Sequence, residues 1–215
     1  MLFSGIAVQL FSVSPAFQRL GAAASWMGIS FALAALLMIA SSRSGKLRAR
    51  DRLFLRLDLH GHETVLDVGC GHGLLLIGAA KRLTTGRAIG VDLWSQRDQA
   101  DNSAAATLAN AEAEGVRNRV EVRDGDMRAL PLPDASVHVV VSSLAIHNLP
   151  SAAERERAIA EIVRVLRPRG VVALFDIAHV REYARTFNKL GCVVEQIGFV
   201  PSIFPPTREL MARKR

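Results

Sequence analysis

The residues best suited to chemistry in this chain are a run of glycines behind an acid, two further acids and one histidine. The run is Thr64 to Leu76, TVLDVGCGHGLLL, in which Asp67 precedes Gly69, Gly71 and Gly73. An apolar stretch, Val65 to Val68, leads in, and Leu74 to Ile77 leads out at helical spacing through Ala80 and Leu83. This predicts a buried strand, a tight turn and a helix. Glycine takes positive φ freely and has no Cβ, so a ligand can approach the backbone. The first amides of the helix then offer donors and a positive dipole end to a carboxylate or phosphate. A dinucleotide fingerprint, G-x-G-x-x-G, would need glycine where Leu74 stands; the pattern here is D-x-G-x-G-x-G. Asp92 closes the next apolar run, AIGVDLW, where a carboxylate can accept from both hydroxyls of a ribose. Leu93 and Trp94 follow and give a base an apolar face, or pack as plain core. His147, in SSLAIHNL, has the side chain best suited to act as a base near neutral pH; the alternative is that it caps the next loop or donates to a backbone carbonyl.

With the order of the stretches that follow it, the glycine pattern resembles the first motif of the class I S-adenosylmethionine-dependent methyltransferases. The step Gly125-Asp126-Met127, the leucine-proline loop after it and the strand Val137 to Ser142 resemble the same family, and the likeness covers roughly Leu57 to Arg213. It implies S-adenosyl-L-methionine as cofactor, with Asp67, Gly69, Gly71 and Gly73 around its methionine part and Asp92 on the ribose. Asp126 would accept from the adenine amino group and the Met127 amide would donate to a ring nitrogen, although an Asp beside Gly can equally satisfy its own turn. Ser142 to Leu144 would line the floor of the site. One departure is His138, where many relatives carry an acid; its expected effect is on local packing. Methyl transfer from a sulfonium asks mainly for orientation of the nucleophile, and a base is optional.

These residues need elements to position them, and from Glu63 onward strands and helices alternate. Strands are expected at Thr64–Val68, Ala88–Asp92, Val120–Arg123, Val137–Ser142, Val171–Ile177, Cys192–Ile197 and Glu209–Arg213. The helices between them are Leu74–Leu83, Ser103–Glu114, Ala152–Leu166 with a Ser151/Glu154 capping box, and Arg181–Leu190. The pattern is α/β: a doubly wound, mostly parallel seven-stranded sheet of the Rossmann-like methyltransferase type, its ligand beyond the carboxyl ends of the strands.

Ahead of this domain, residues 46–215, lies a block of different composition, residues 1–45. Gly21 to Ala40 carries no charge, and at about 1.5 Å per residue it covers the ~30 Å hydrocarbon core, which predicts a transmembrane helix with Trp26 near one interface. Met1 to Val13 is apolar but short, so one span or two are both open. A signal peptide is disfavoured by the absence of early positive charge. Only Arg19 precedes the long span, whereas Arg43, Lys46, Arg48, Arg50, Arg52 and Arg56 follow it, which puts the domain on the cytoplasmic side of the cell membrane. The amphipathic segment 47–59 can lie along an anionic surface or be an ordinary solvated helix.

The net charge of +7 is thus read as membrane-directed, and no nucleic-acid partner is expected. No Asn-Pro-Pro-aromatic stretch follows the fourth strand, where amino-methylating relatives acting on bases carry one. Two cysteines, Cys70 and Cys192, exclude a disulfide framework, and no metal-ligand spacing is found among His60, His62 and His72. The expected function is methylation of a small or lipid-like acceptor at the membrane face. The alternatives are an inactive cofactor-binding module of a membrane complex and a nicotinamide-dependent oxidoreductase, the last opposed by Leu74.

Overall fold

The computed structural model describes residues 15–95 and 101–215; the expectation for Met1 to Val13 lies outside them. Helix α1 (Pro15–Ala40), a π-helical turn (Ser41–Gly45) and helix α2 (Lys46–Leu57) follow one another without a break, Ala40, Gly45 and Lys46 all having right-handed helical φ and ψ. The alternating part then runs β1 (Thr64–Val68), α3 (Leu74–Ala80), β2 (Arg87–Asp92), α4 (Ala104–Ala113), β3 (Val120–Asp124), β4 (Val137–Ser143), α5 (Ala152–Val165), β5 (Leu166–Asp176), α6 (Val180–Lys189), β6 (Cys192–Val200) and β7 (Thr207–Lys214).

The strands form one seven-stranded sheet in the order β3-β2-β1-β4-β5-β7-β6. Pairs among β1 to β5 are parallel, as alternation with helices requires, but β7 is inserted antiparallel between β5 and β6. The sheet is therefore mixed at this end. Residues 201–206 between β6 and β7 are too few for a crossover, so the chain turns back as a hairpin. Strand β5 also starts earlier than the sequence suggests: Leu166 pairs with Val137 and pairing resumes at Val171 with Val139, so residues 167–170 bulge out of the ladder.

Side chains alternate across each strand, and each face of the sheet carries its own helices. On one face α2, α3 and α4 bury Leu53, Phe54, Leu76 and Ala111 against Val139 and Phe175. On the other, α5 and α6 bury Ile159, Ile162, Tyr183 and Phe187 against Leu66 and Val140. Helix α5 opens with the expected capping box between Ser151 and Glu154.

Helix α2 lays its apolar stripe, Ala49, Leu53 and Phe54, on the domain. Arg56 bonds to buried Glu209 at 2.6 Å, Arg82 bonds to Asp51 at 3.0 Å, and the Arg82 guanidinium lies 5.0 Å over the Phe54 ring. The π-turn belongs to the same packed unit: Phe204 N–H donates to Ser41 Oγ at 2.9 Å, and a Cβ on Gly45 would lie 1.8 Å from the carbonyl oxygen of Ser202. The boundary drawn from composition at residue 45 thus falls inside a continuous helix whose last turns are part of the domain. Beyond it, the side chains of Trp26, Phe31 and Leu36 are exposed. Among the described residues one helix, Ala23–Leu57, is long and apolar enough to cross a membrane by length and composition.

Gly45→Ala should push the 201–206 loop off the π-turn. Overpacking of this kind costs about 1–3 kcal/mol, to be read as a lower unfolding midpoint of the full-length protein in detergent. An unchanged midpoint would show that the loop yields freely.

Candidate active site

The turn after β1 is held by the end of β2. Gly69 N–H donates to the Val91 carbonyl at 2.8 Å, and Gly71 N–H donates to Asp92 Oδ2 at 2.8 Å. Gly69, Gly71 and Gly73 have φ of 69°, 48° and 89°, in the left-handed region that favours glycine. The missing Cβ atoms serve packing as well as approach: at Gly69 a Cβ would sit 2.4 Å from the Ala145 Cβ, and at Gly73 it would press on Ile77 and Thr107. The glycine turn is therefore seated directly on the chain leaving β4.

Asp67 is 2% exposed and accepts from the Leu76 amide at 2.8 Å, latching the end of β1 to the first turn of α3. Burial pushes its carboxyl up to about 7, with the nearby Asp92 charge adding to the rise. Asp92, half-buried, also accepts at Oδ1 from the Trp94 amide (2.7 Å) and from Asn102 Nδ2 (3.2 Å). Leu93 beside it is 60% exposed, while Trp94 is turned to Asp124, its Nε1–H donating at 2.6 Å. Cys70, between two of the glycines, is buried over β2, where a Cβ on Gly90 would come 2.7 Å from its sulfur.

Asp126 and Met127 arrive after β3. The Asp126 carboxylate is clasped by Arg128, whose Nη2 lies 2.6 Å from Oδ2 and whose amide and Nε reach Oδ1; Arg128 also bonds to Glu154. The Arg128 guanidinium holds the Asp126 carboxyl below its ordinary range. An adenine amino group would thus share Asp126 with an arginine, a partner that lies only two residues away and that sequence reading passed over. Met127 is half-buried and its Cε lies 3.6 Å from where a Gly69 Cβ would be, which brings the β3 loop to the glycine turn.

Ser142 is not on an open floor: its hydroxyl is buried and donates to the Val68 carbonyl at 2.8 Å, tying β4 to β1. Ser143 and Leu144 are half-buried, and Leu144 has φ of 54°, an uncommon backbone state for a branched side chain, held by its amide donating to the Phe175 carbonyl at 2.9 Å. His138 sits at the start of β4, with Nδ1 accepting from the Thr64 amide at 3.1 Å, on the edge of the sheet away from these residues.

His147 lies in a short 3₁₀ turn (Ile146–Asn148) after β4, with Nδ1 2.5 Å from Asp176 Oδ1. Asp176 ends β5, is 1% exposed, and also receives the amides of His147 and Ile177 and the hydroxyl of Tyr183 at 3.2 Å. Burial and the Asp176 charge push the Tyr183 hydroxyl well above its usual range, so it stays a donor. A carboxylate on Nδ1 fixes the imidazole ring and leaves Nε2 as its basic atom. Asp176 and Tyr183 were missed in the sequence; an acid closing an apolar strand, as at Asp67 and Asp92, was the available signal.

Residues 66–174 match the family model for a methyltransferase domain. The chain belongs to this methyltransferase family. It is 37% identical over 116 residues to the arsenite methyltransferase of Halobacterium salinarum, covering 54% of this chain and 27% of that protein. Over 130 residues it is 29% identical to the demethylmenaquinone methyltransferase of Lactobacillus johnsonii, covering 59% and 49%. The chain thus spans half or less of the length of these curated relatives. A crystal structure of a SAM-dependent methyltransferase from Aquifex aeolicus superposes with a TM-score of 0.64 at 19% identity, over 77% of this chain and 89% of that one, a likeness of fold. The methyltransferase domain here is of the S-adenosylmethionine-dependent kind. Its residues fit that cofactor: Asp92 is an acceptor-only group at the strand end for sugar hydroxyls, Leu93 and Met127 give apolar flanks, and left-handed glycines shape the turn between them.

Because Asp67 keeps its proton in the native state up to about pH 7 but loses it near 3.8 when exposed, the native state binds the extra proton between these values. The unfolding free energy then falls as pH rises through that window, by up to about 1.4 kcal/mol per pH unit. Asp67→Asn should flatten this fall, measured by urea unfolding at a series of pH values. An unaltered slope would place the proton elsewhere.

Proposed function

We propose that this chain transfers a methyl group from S-adenosylmethionine to a small or lipid-like acceptor at the cytoplasmic face of the cell membrane. The observation that carries the reading is the glycine turn locked onto Asp92 in a chain whose residues 66–174 match a methyltransferase domain. When bound, the cofactor supplies an electrophilic methyl carbon on a sulfonium. The chain supplies position: Asp92 for the ribose, Asp126 and the Met127 amide for the adenine, and the Gly69 to Gly73 backbone for the methionine part. His147, its ring fixed by Asp176, accepts a proton from the acceptor at Nε2 when the nucleophile is a hydroxyl or similar group.

The acceptor class rests on two supports. Relatives named for arsenite and demethylmenaquinone put small molecules among the family's acceptors. The exposed, uncharged turns of α1 favour a bilayer around it, and the basic residues that follow favour the cytoplasmic side. An acceptor dissolved in the membrane then reaches the site without fully entering water.

Full-length protein in detergent should bind S-adenosylhomocysteine in isothermal titration, and absence of binding would remove the reading. Asp92→Ala should weaken that binding by about 1.5–3 kcal/mol for each charged hydrogen bond lost. Transfer of labelled methyl into an extract of membrane lipids, followed by mass spectrometry, identifies the acceptor. On it, His147→Ala should lower turnover by about 10²–10⁴ at unchanged S-adenosylhomocysteine affinity. Asp176→Asn should act in the same direction, and the double variant should be no worse than His147→Ala alone, because the two side chains act as a unit. A loss below about tenfold would leave orientation as the mechanism.

A further inference from the structure

The point at which α1 leaves the domain can be placed on the sheet. Strands β1 to β5 are parallel, and the cofactor-side residues Asp67, Asp92, His147 and Asp176 stand at or just past their carboxyl ends. Strand β7 runs against β5, and Thr207 and Arg208 at its start pair with Val200 and Phe199, with Arg208 also facing Asp176. The loop 201–206 between β6 and β7 is therefore on the carboxyl edge. It is this loop that grips the π-turn: Ser41 bonds to Phe204, and Gly45 touches Ser202. From there α2 descends past Gly78 of α3 and delivers the chain to residues 61–63 on the amino edge, where the Gly61 carbonyl receives Thr84 and Gly86 ahead of β2. At its upper end Leu47 and Arg50 share a cleft with His72, Gly73, Leu74 and Asn110, so the helix exits beside the cofactor turn itself.

We infer that the carboxyl edge of the sheet is the surface pressed on the cytoplasmic leaflet, so that the active-site mouth opens against the bilayer. The inference rests on the proposal that α1 spans the membrane and adds the orientation of the domain beneath it. Helical backbone runs unbroken from Ala40 through Gly45 into α2, which carries α2 away from the bilayer instead of along its surface. The rim of the carboxyl edge carries exposed apolar side chains on three different strands or their ends: Leu93 after β2, Ile177 after β5 (40% exposed) and Phe199 near the end of β6 (61% exposed). Arg43 and Arg208, exposed at the same level, supply charge for anionic headgroups. The basic residues Arg213 and Lys214 stand on the opposite edge: Arg213 pairs with Glu195, and Lys214 donates to the Val163 and Leu166 carbonyls. They take no part in this surface.

The test uses full-length protein reconstituted in phosphatidylcholine–phosphatidylglycerol vesicles, with an environment-sensitive fluorophore on Phe199→Cys or Ile177→Cys, and on Thr85→Cys or Asn118→Cys at the amino edge. Both native cysteines are buried and leave the introduced thiols as the reactive ones. Quenching by nitroxide-bearing lipids should be at least about twofold stronger at the two rim positions, since the twelve residues of α2 separate the edges by about 18 Å. Equal quenching, or stronger quenching at the amino edge, in protein that stays with the vesicles through a high-salt wash would overturn the orientation and leave the membrane reading standing. Release by salt would remove the spanning helix, and the orientation with it.

Discussion

The turn between β1 and α3 depends on hydrogen bonds from elements that come later in the chain. The amides of Gly69 and Cys70 are taken by Val91, that of Gly71 by Asp92, and the carbonyls of Gly71 and His72 are taken by Thr107 and Asn110 of α4. The turn pairs its Gly73 amide internally, with the Cys70 carbonyl at 2.8 Å, and amides left unpaired on folding are costly, so its other polar groups rely on β2 and α4. Asp92 shapes the turn, and in the proposed function it would also present oxygen to the ribose. A carboxylate suits both because it only accepts and has several lone-pair positions.

A second group of polar bonds organises the other half of the site. Asp176 gathers the His147 ring, the amides of His147 and Ile177, and the Tyr183 hydroxyl, so one buried carboxylate joins β5, the turn after β4 and helix α6. Leu144 is kept in its unusual backbone state between these two groups. Strain of this sort persists only where neighbours over-determine it, and here the Ala145 side chain is wedged against Gly69 while the Leu144 amide is bonded to Phe175.

Much of this was legible in the sequence where one local signal sufficed. Thr64–Val68 is the strand that its apolar run announces, Ser151 caps the helix it precedes, and the acids at 67 and 92 stand at strand ends; Ser103, read as the first helical residue, is the cap of its helix. What was not legible depends on pairs distant in sequence. Asp176 lies 29 positions from the histidine it holds, and Ser142, which the family resemblance places on the floor of the site, turns its hydroxyl inward to a carbonyl of β1. The reversal of β7 follows from the short 201–206 loop, a signal that the alternation of strands and helices upstream overshadowed. The composition boundary at residue 45 has no counterpart in the backbone: the helix changes its surroundings near there without a break.

The cysteine in the glycine turn has a consequence for a domain that handles a methyl electrophile. A thiolate is a strong nucleophile for such a carbon, and Cys70 stands between Gly69 and Gly71. Burial, with the charges of Asp67 and Asp92, pushes its thiol far above the ordinary range, and the absent side chain of Gly90 is what lets the sulfur sink over β2. The sulfur is therefore kept protonated and inward. The fold guards this turn against alkylating itself, and the guard lies in a glycine on the neighbouring strand, outside the turn.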